Sequence, residues 1–399
     1  MAKSKLYCRA FQLVFALGVR VLPWRLPELI EGGGSFLRAA EVLRRERKQR
    51  PFVVASCRLC ASAEFKALAE ELQKSGAVLS IFSDVEPNPS VATVEKMAAQ
   101  FRADGCDSIL AVGGGSPIDA AKAAAARVVR PGKSLAALGG LLKVRRRIPY
   151  FIAVPTTAGT GSEATIAAVI TAEDHRKYAL SDLSLVPHCA ILDPVLTASL
   201  PPHITAQTGM DALTHAVECY LNLYYNTPFS RALARGAVVD IFRYLEAAYN
   251  DGGDLEARAK LLRASFDAGA AFTRVSVGNV HAAAHTLGGL YGVAHGLANA
   301  VLLPIILEDY GAAAHKALAE LAEAVGIGGA TAAERAENFI AAIRGMNERM
   351  GIPTGFDCIR EEDLPRMTAW AEREANPLYP VPVIYGEEDF ARVLRRAML

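Results

Sequence analysis

The chain has 399 residues, 43 basic and 42 acidic side chains, a formal net charge of +1, and 52% apolar residues. That length exceeds what one compact core organises and argues for two domains of a soluble protein, while the even charge balance leaves no electrostatic footprint for nucleic acid. Seven cysteines, an odd number at irregular spacing, point to a reducing, cytoplasmic setting rather than a disulfide framework.

From the N-terminus, residues 6–22 are rich in Phe, Val and Leu and follow Lys3 and Lys5. Arg9, Gln12 and Arg20 interrupt them, no small-residue cleavage site precedes Pro23, and the uninterrupted apolar run is too short to span a bilayer. The segment reads as a helix that docks on the fold or on a neighbouring subunit. Short β-rich runs then alternate with helical patterns: strand 52–55, helix 61–74, strand 78–82, a turn at 87–89, helix 90–102 and strand 108–112. Residues 149–154 and 190–192 read as later strands of the same parallel layer. After Pro201-Pro202 the strand signals vanish, and Ala/Leu/Arg/Glu-rich helical patterns run nearly to the C-terminus. The predicted fold class is therefore α/β plus all-α: residues 1–201 hold the apolar segment and a parallel-sheet domain, and 202–399 a helical domain.

Two loops follow predicted strands. In Val112-Gly113-Gly114-Gly115-Ser116-Pro117-Ile118-Asp119, the glycines let backbone N–H groups approach a pyrophosphate, and a helix N-terminus adds partial positive charge. The spacing is not G-x-G-x-x-G, and such a turn also serves as a plain tight turn. In Pro155-Thr156-Thr157-Ala158-Gly159-Thr160-Gly161-Ser162-Glu163, hydroxyls interleave with bare backbone, which suits ribose and phosphate or a simple N-cap. Both loops lie at the carboxyl ends of strands, where open parallel sheets bind ligands.

Four of the eight histidines, His215, His281, His285 and His295, fall in two apolar segments of the helical half. Asp211-x-x-x-His215 places a carboxylate and an imidazole on one helical face, and two further imidazoles would complete a tetrahedral-type site for a first-row metal.

Taken together, residues 113–122, 155–163, 209–218 and 281–304 resemble the iron-containing (group III) alcohol dehydrogenases, and the likeness runs from about residue 31 to the C-terminus. The resemblance implies a dinucleotide-binding domain followed by a metal-binding helical domain, with the active site in the cleft between them and a homodimer as the common assembly. It implies Asp211, His215, His281 and His295 as ligands of Fe2+, or Zn2+ in relatives, and His285 as a non-ligand histidine that moves protons. Gly114, Gly115, Ser116 and Asp119 match its pyrophosphate loop; Asn88, Thr156, Thr157, Thr160 and Lys177 match other nucleotide-contacting positions. The reaction implied is hydride transfer between a small alcohol or aldehyde and NAD or NADP. Departures are the longer apolar N-terminus, Thr286 and Ala294 where prolines are frequent, and Ser56 where an Asp often reads the adenosine ribose. Ser56 cannot repel a 2′-phosphate and lies two residues from Arg58, so NADP is expected to be tolerated beside NAD. Two rival functions remain: a lyase similar to dehydroquinate synthase, and a non-catalytic binding protein docked through its N-terminal helix.

Overall fold

The computed structural model describes residues 4–172 and 177–399, so Lys3 lies outside the described residues. Ser4 opens helix α1 (Lys5–Val21) by accepting the Tyr7 N–H on its side chain. Cys8, Gln12, Ala16 and Val19 are buried at helical spacing, whereas Leu6, Tyr7, Leu13, Val14, Leu17 and Val21 stand exposed. Among the described residues no helix is long and apolar enough to cross a membrane.

Strands β1 (Glu28–Glu31), β2 (Pro51–Val54), β3 (Ser80–Phe82), β4 (Ser108–Gly113), β5 (Gly140–Leu141), β6 (Tyr150–Pro155), β7 (Ala167–Thr171), β8 (Lys177–Ser181) and β9 (Cys189–Leu192) form two sheets. The larger runs β1-β9-β6-β4-β2-β3 and is parallel throughout; the smaller, β5-β8-β7, includes the antiparallel pair β7/β8. The central strands β2, β4, β6 and β9 are buried on both faces because both faces are covered. Phe52, Val54, Ile109, Ala111, Phe151 and Ala153 enter one core, and their alternating neighbours Val53, Ala55, Leu110, Val112, Ile152 and Val154 enter the other. Helices α2 (Ala39–Arg45), α3 (Cys57–Cys60), α4 (Ala63–Lys74), α5 (Val91–Ala103), α6 (Gly115–Val129) and α7 (Leu135–Leu138) belong to this part of the chain. The helix expected over 61–74 starts later, since the Ser62 hydroxyl accepts the Phe65 N–H as an N-cap, leaving α3 a separate turn capped by Ser56.

The second half is helical: α8 (Pro202–Leu221), α9 (Pro228–Asn250), α10 (Leu255–Val275), α11 (Asn279–Tyr291), α12 (His295–Tyr310), α13 (Ala312–Ala324), α14 (Ala332–Arg349), α15 (Leu364–Ala375) and α16 (Glu387–Arg396). The chain divides into two compact units. One joins Met1–Leu22 to Pro201–Asp251 and Asp267–Leu399, the other joins Pro23–Leu200 to Gly252–Phe266. The N-terminal helix, grouped with the sheet domain on sequence, therefore packs in the helical unit. The reason is local: buried Gln12 donates from Nε2 to the carbonyls of Pro377 (3.0 Å) and Tyr379 (2.8 Å), and Phe15 packs on Tyr225.

Candidate metal centre and cofactor loops

In the helical unit, α8 presents Asp211 and His215 one turn apart, α11 presents His281, and α12 begins with His295. One ligand atom from each of these four side chains lies within 4.8 Å of the others, and all but His295 are buried. Close backbone packing sets this convergence. A Cβ on Gly296 would sit 2.3 Å from the Gln207 carbonyl oxygen on α8, so only glycine lets the start of α12 approach so near.

The surroundings fix which atoms face the centre. His281 Nδ1 lies 2.6 Å from Glu218 Oε2, which also accepts the Gly278 N–H (2.8 Å), while Oε1 accepts the Val280 N–H (2.7 Å). Burial pushes the Glu218 carboxyl up to about 8, with the N–H groups of Gly278, Val280 and His281 opposing the rise. Three donors aimed at two oxygens suit a carboxylate, which holds the proton on Nδ1 and leaves His281 Nε2 as a lone pair. Burial also lowers the His281 pKa to about 3, which keeps the ring neutral. That lone pair, His295 Nε2 and Asp211 Oδ1 converge on the Asn299 amide, with Nδ2 at 3.2, 3.2 and 2.7 Å. His215 stacks between Phe272 (4.3 Å) and His281 (4.4 Å), which fixes its plane. A largely buried convergence of one carboxylate and three imidazoles fits a divalent transition metal.

His285 lies one turn beyond His281 and stacks on His295 at 5.1 Å. Its Nδ1 is 2.7 Å from Glu374 Oε1 on α15.

In the sheet unit, the two loops leave adjacent strands whose last paired residues are Gly113 and Pro155. Thr156 N–H donates to the Gly113 carbonyl at 3.0 Å. Gly114 and Gly115 open α6, and added Cβ atoms would meet Thr157 Oγ1 at 3.2 Å and Thr160 Cγ2 at 2.7 Å. Ser116 Oγ accepts the N–H of Asn88, whose positive φ of 58° shapes its turn. The residue that follows Asn88 is tied in as well: Thr171, paired with Lys177 across β7/β8, donates its N–H to the Pro89 carbonyl at 2.9 Å. Ser56 lies one strand over, beyond β2, where Cys57 Sγ–H donates to the Ser83 carbonyl. Gly114, Gly115, Ser116, Asn88, Thr156, Thr157 and Thr160 are thus gathered around the carboxyl ends of β4 and β6, while Lys177 opens β8 opposite Thr171.

Asp119 has a different placement. Its carboxylate accepts from Ser162 Oγ (2.5 Å) and the Val169 N–H (3.0 Å), so it braces the second loop from within. Lys122 does the same, donating to the carbonyls of Ser162 and Ala167 and to the carbonyl and hydroxyl of Thr165. Burial lowers its pKa to about 8, with Asp119 and then Glu163 opposing.

Glu218, Asn299 and Glu374 at these sites escaped the sequence reading. Glu218 stands three residues after His215, on the face that carries Asp211, so its spacing held a signal. Asn299, four residues after His295, held a weaker one, and Glu374 on a distant helix held none. Removing Glu218 is expected to lower metal affinity by roughly 10–100-fold, the usual effect of losing a carboxylate that orients a ligating imidazole. Chelator competition on Glu218→Gln and Glu218→Ala checks this, and unchanged affinity in both would refute it.

Sequence profiles match the chain almost end to end: iron-containing alcohol dehydrogenase over residues 27–194, and the C-terminal region of the Fe-containing alcohol dehydrogenase family over 205–398. The 1,3-propanediol dehydrogenase of Klebsiella pneumoniae is 39% identical over 331 residues, covering 82% of this chain and 85% of its own. The NAD-dependent methanol dehydrogenase of Bacillus methanolicus is 31% identical over 93% of this chain and 98% of its own. A crystal structure of 1,3-propanediol oxidoreductase superposes with a TM-score of 0.90 at 34% identity, covering 95% of this chain and 100% of that one. With these matches added to the two sites, the chain is a metal- and NAD(P)(H)-dependent oxidoreductase belonging to the iron-containing alcohol dehydrogenase family.

Proposed function

We propose that this oxidoreductase interconverts a small alcohol and its aldehyde, using Fe2+ held by Asp211, His215, His281 and His295. The observation that supports it most is the convergence of those four donors within 4.8 Å, with the His281 proton committed to Glu218. A bound divalent ion supplies Lewis acidity towards a substrate oxygen, and Zn2+ suits the same donor set, so the choice of iron rests on the family. His285 serves as the proton relay: with Nδ1–H directed to Glu374, its Nε2 is left to accept and return a proton. Gly114, Gly115 and Ser116 offer backbone N–H groups and a helix N-terminus to the cofactor pyrophosphate. Asn88, Thr156, Thr157, Thr160 and Lys177 complete the nucleotide contacts, and Asp119 acts through the loop it braces. Anaerobically prepared protein should carry one divalent ion per chain and oxidise NADH with some member of a panel of short aldehydes. Turnover without bound iron or zinc would overturn the proposal.

NADP(H) is accepted beside NAD(H) in this reading. Ser56 carries no charge, and its Oγ, which accepts the Leu59 N–H, still has a proton to donate to a 2′-phosphate. Ser56→Asp is expected to raise the NAD(H)/NADP(H) ratio of kcat/KM by roughly tenfold or more, since like charges clash by up to several kcal/mol. Strict NAD(H) use by the unmodified protein would refute this.

The exposed face of α1 is proposed to serve homodimer formation or docking in a reducing, cytoplasmic setting, in keeping with the described cysteines, all of which are free thiols. Val14→Glu with Leu17→Glu, at side chains 71% and 65% exposed, should lower the mass seen by light scattering or raise solubility. If both stay as they were, the face has no such role.

A further inference from the structure

Glu374 Oε1 takes two hydrogen bonds, from His285 Nδ1 (2.7 Å) and from Tyr379 Oη (2.9 Å). In the neutral ring the first holds the proton on Nδ1 and leaves Nε2 as the acceptor; the second fixes the rotation of the carboxylate that does so. Tyr379 is itself held at its backbone. Its N–H donates to Ala375 O at 2.8 Å, and its carbonyl accepts from Gln12 Nε2 at 2.8 Å. Gln12 is fully buried, and each polar end of its amide is engaged: Nε2 also donates to Pro377 O (3.0 Å), and Oε1 accepts from Arg9 Nη1 (3.0 Å). Arg9 in turn donates from Nη2 to Pro382 O at 2.9 Å. A buried amide in an otherwise apolar helix face stabilises the fold less than an aliphatic side chain would, unless its hydrogen bonds have a purpose. Here all of them converge, directly or through Arg9, on the segment that carries Tyr379.

We infer that Glu374 and Tyr379 are positioning residues for His285, and that α1 is a strap holding this pair in place through Gln12. The inference rests on the reading of His285 as the proton relay. Helix α1 thereby becomes part of the active-site scaffold, with its buried face serving the relay while its exposed face is free for other contacts. A plain packing role for Glu374 makes the opposite prediction: an apolar side chain of similar size would serve at least as well.

Four variants of the full chain loaded with Zn2+ separate these possibilities: Glu374→Leu, Glu374→Gln, Tyr379→Phe and Gln12→Leu, with His285→Ala as reference. Glu374→Leu removes the acceptor and should lower kcat by roughly 10–100-fold, with bound metal and cofactor KM within about twofold of the parent. Glu374→Gln keeps a carbonyl oxygen that both donors can reach, and should restore most of that loss. Tyr379→Phe and Gln12→Leu should lower kcat by about threefold to tenfold and increase its solvent deuterium isotope effect, because proton movement then limits turnover more. A second readout needs no metal. In metal-free protein labelled with 15N-histidine, the His285 Nδ1–H signal should persist in Glu374→Gln and vanish in Glu374→Leu. If His285→Ala leaves kcat unchanged, the relay reading itself fails and this inference falls with it. If His285→Ala slows turnover but Glu374→Leu equals Glu374→Gln in kcat and in the Nδ1–H signal, the relay stands and the positioning role is overturned. Should Glu374→Leu not fold, Tyr379→Phe decides the point: a parental kcat and isotope effect there refute the positioning role. Parental values in Gln12→Leu refute the strap.

Discussion

Asp211→Asn is expected to weaken metal binding at least roughly a hundredfold, the largest single effect available at this centre. It removes the only anionic donor among the four converging side chains. The attraction between a carboxylate and a dication in partly buried surroundings amounts to several kcal/mol, and each 1.4 kcal/mol is tenfold in affinity. The metal-free fold should tolerate the change. Burial already pushes the Asp211 carboxyl up, so a neutral isostere relieves desolvation even as the 2.7 Å bond from Asn299 is altered. Chelator competition with Zn2+, alongside thermal unfolding of the metal-free variant, reads the two effects separately. Affinity near that of the parent would remove Asp211 from the ligand set.

Gly296→Ala should also damage the centre, with a single methyl group. Its Cβ would lie 2.3 Å from Gln207 O, 2.8 Å from Gln207 C and 3.3 Å from Asp211 Cβ. Two of those atoms are backbone in the middle of α8, so no rotamer change relieves the contact, and the start of α12 must retreat. Overpacking of this kind costs about 1–3 kcal/mol, occasionally more. Because His295 precedes Gly296 directly, the retreat also carries its imidazole away from Asp211, His215 and His281. A lowered denaturant midpoint in the metal-free protein, together with metal affinity reduced about tenfold or more, is the expected pair of results. Parental values for both would show that the two helices separate without consequence.

Sequence patterns exposed the parts of this molecule that depend on local spacing. The strands at 52, 109 and 151 announced themselves through unbroken apolar runs, and the loops after β4 and β6 through glycine and threonine content. Asp211 and His215 could be paired because one helical turn brings them together. Contacts made between distant segments left no such trace. Nothing about Glu374 singles it out among the acidic residues of the helical half until α15 packs on α11. Asp119 sits where a phosphate-loop residue belongs, yet its oxygens are taken by Ser162 and Val169, partners 43 and 50 residues away. The N-terminal helix showed its apolar character at once, but only the carbonyls of Pro377 and Tyr379 reveal which side of it faces inward and why Gln12 interrupts it. The edge strand β1 and the small β5-β8-β7 sheet went unread because short strands with mixed polarity carry almost no period-two signal.

The proposed donor set is scattered along the chain, with Asp211 and His215 on α8, His281 on α11 and His295 at the start of α12. During synthesis the first pair leaves the ribosome while the other two residues are still untranslated, and a lone carboxylate–imidazole pair grips a dication only weakly. Metal loading therefore follows folding of the helical unit rather than nucleating it, the reverse of a zinc finger. Which ion the enzyme receives is settled by what the cell offers a finished site, so expression under iron or zinc limitation should change its metal content without changing its yield.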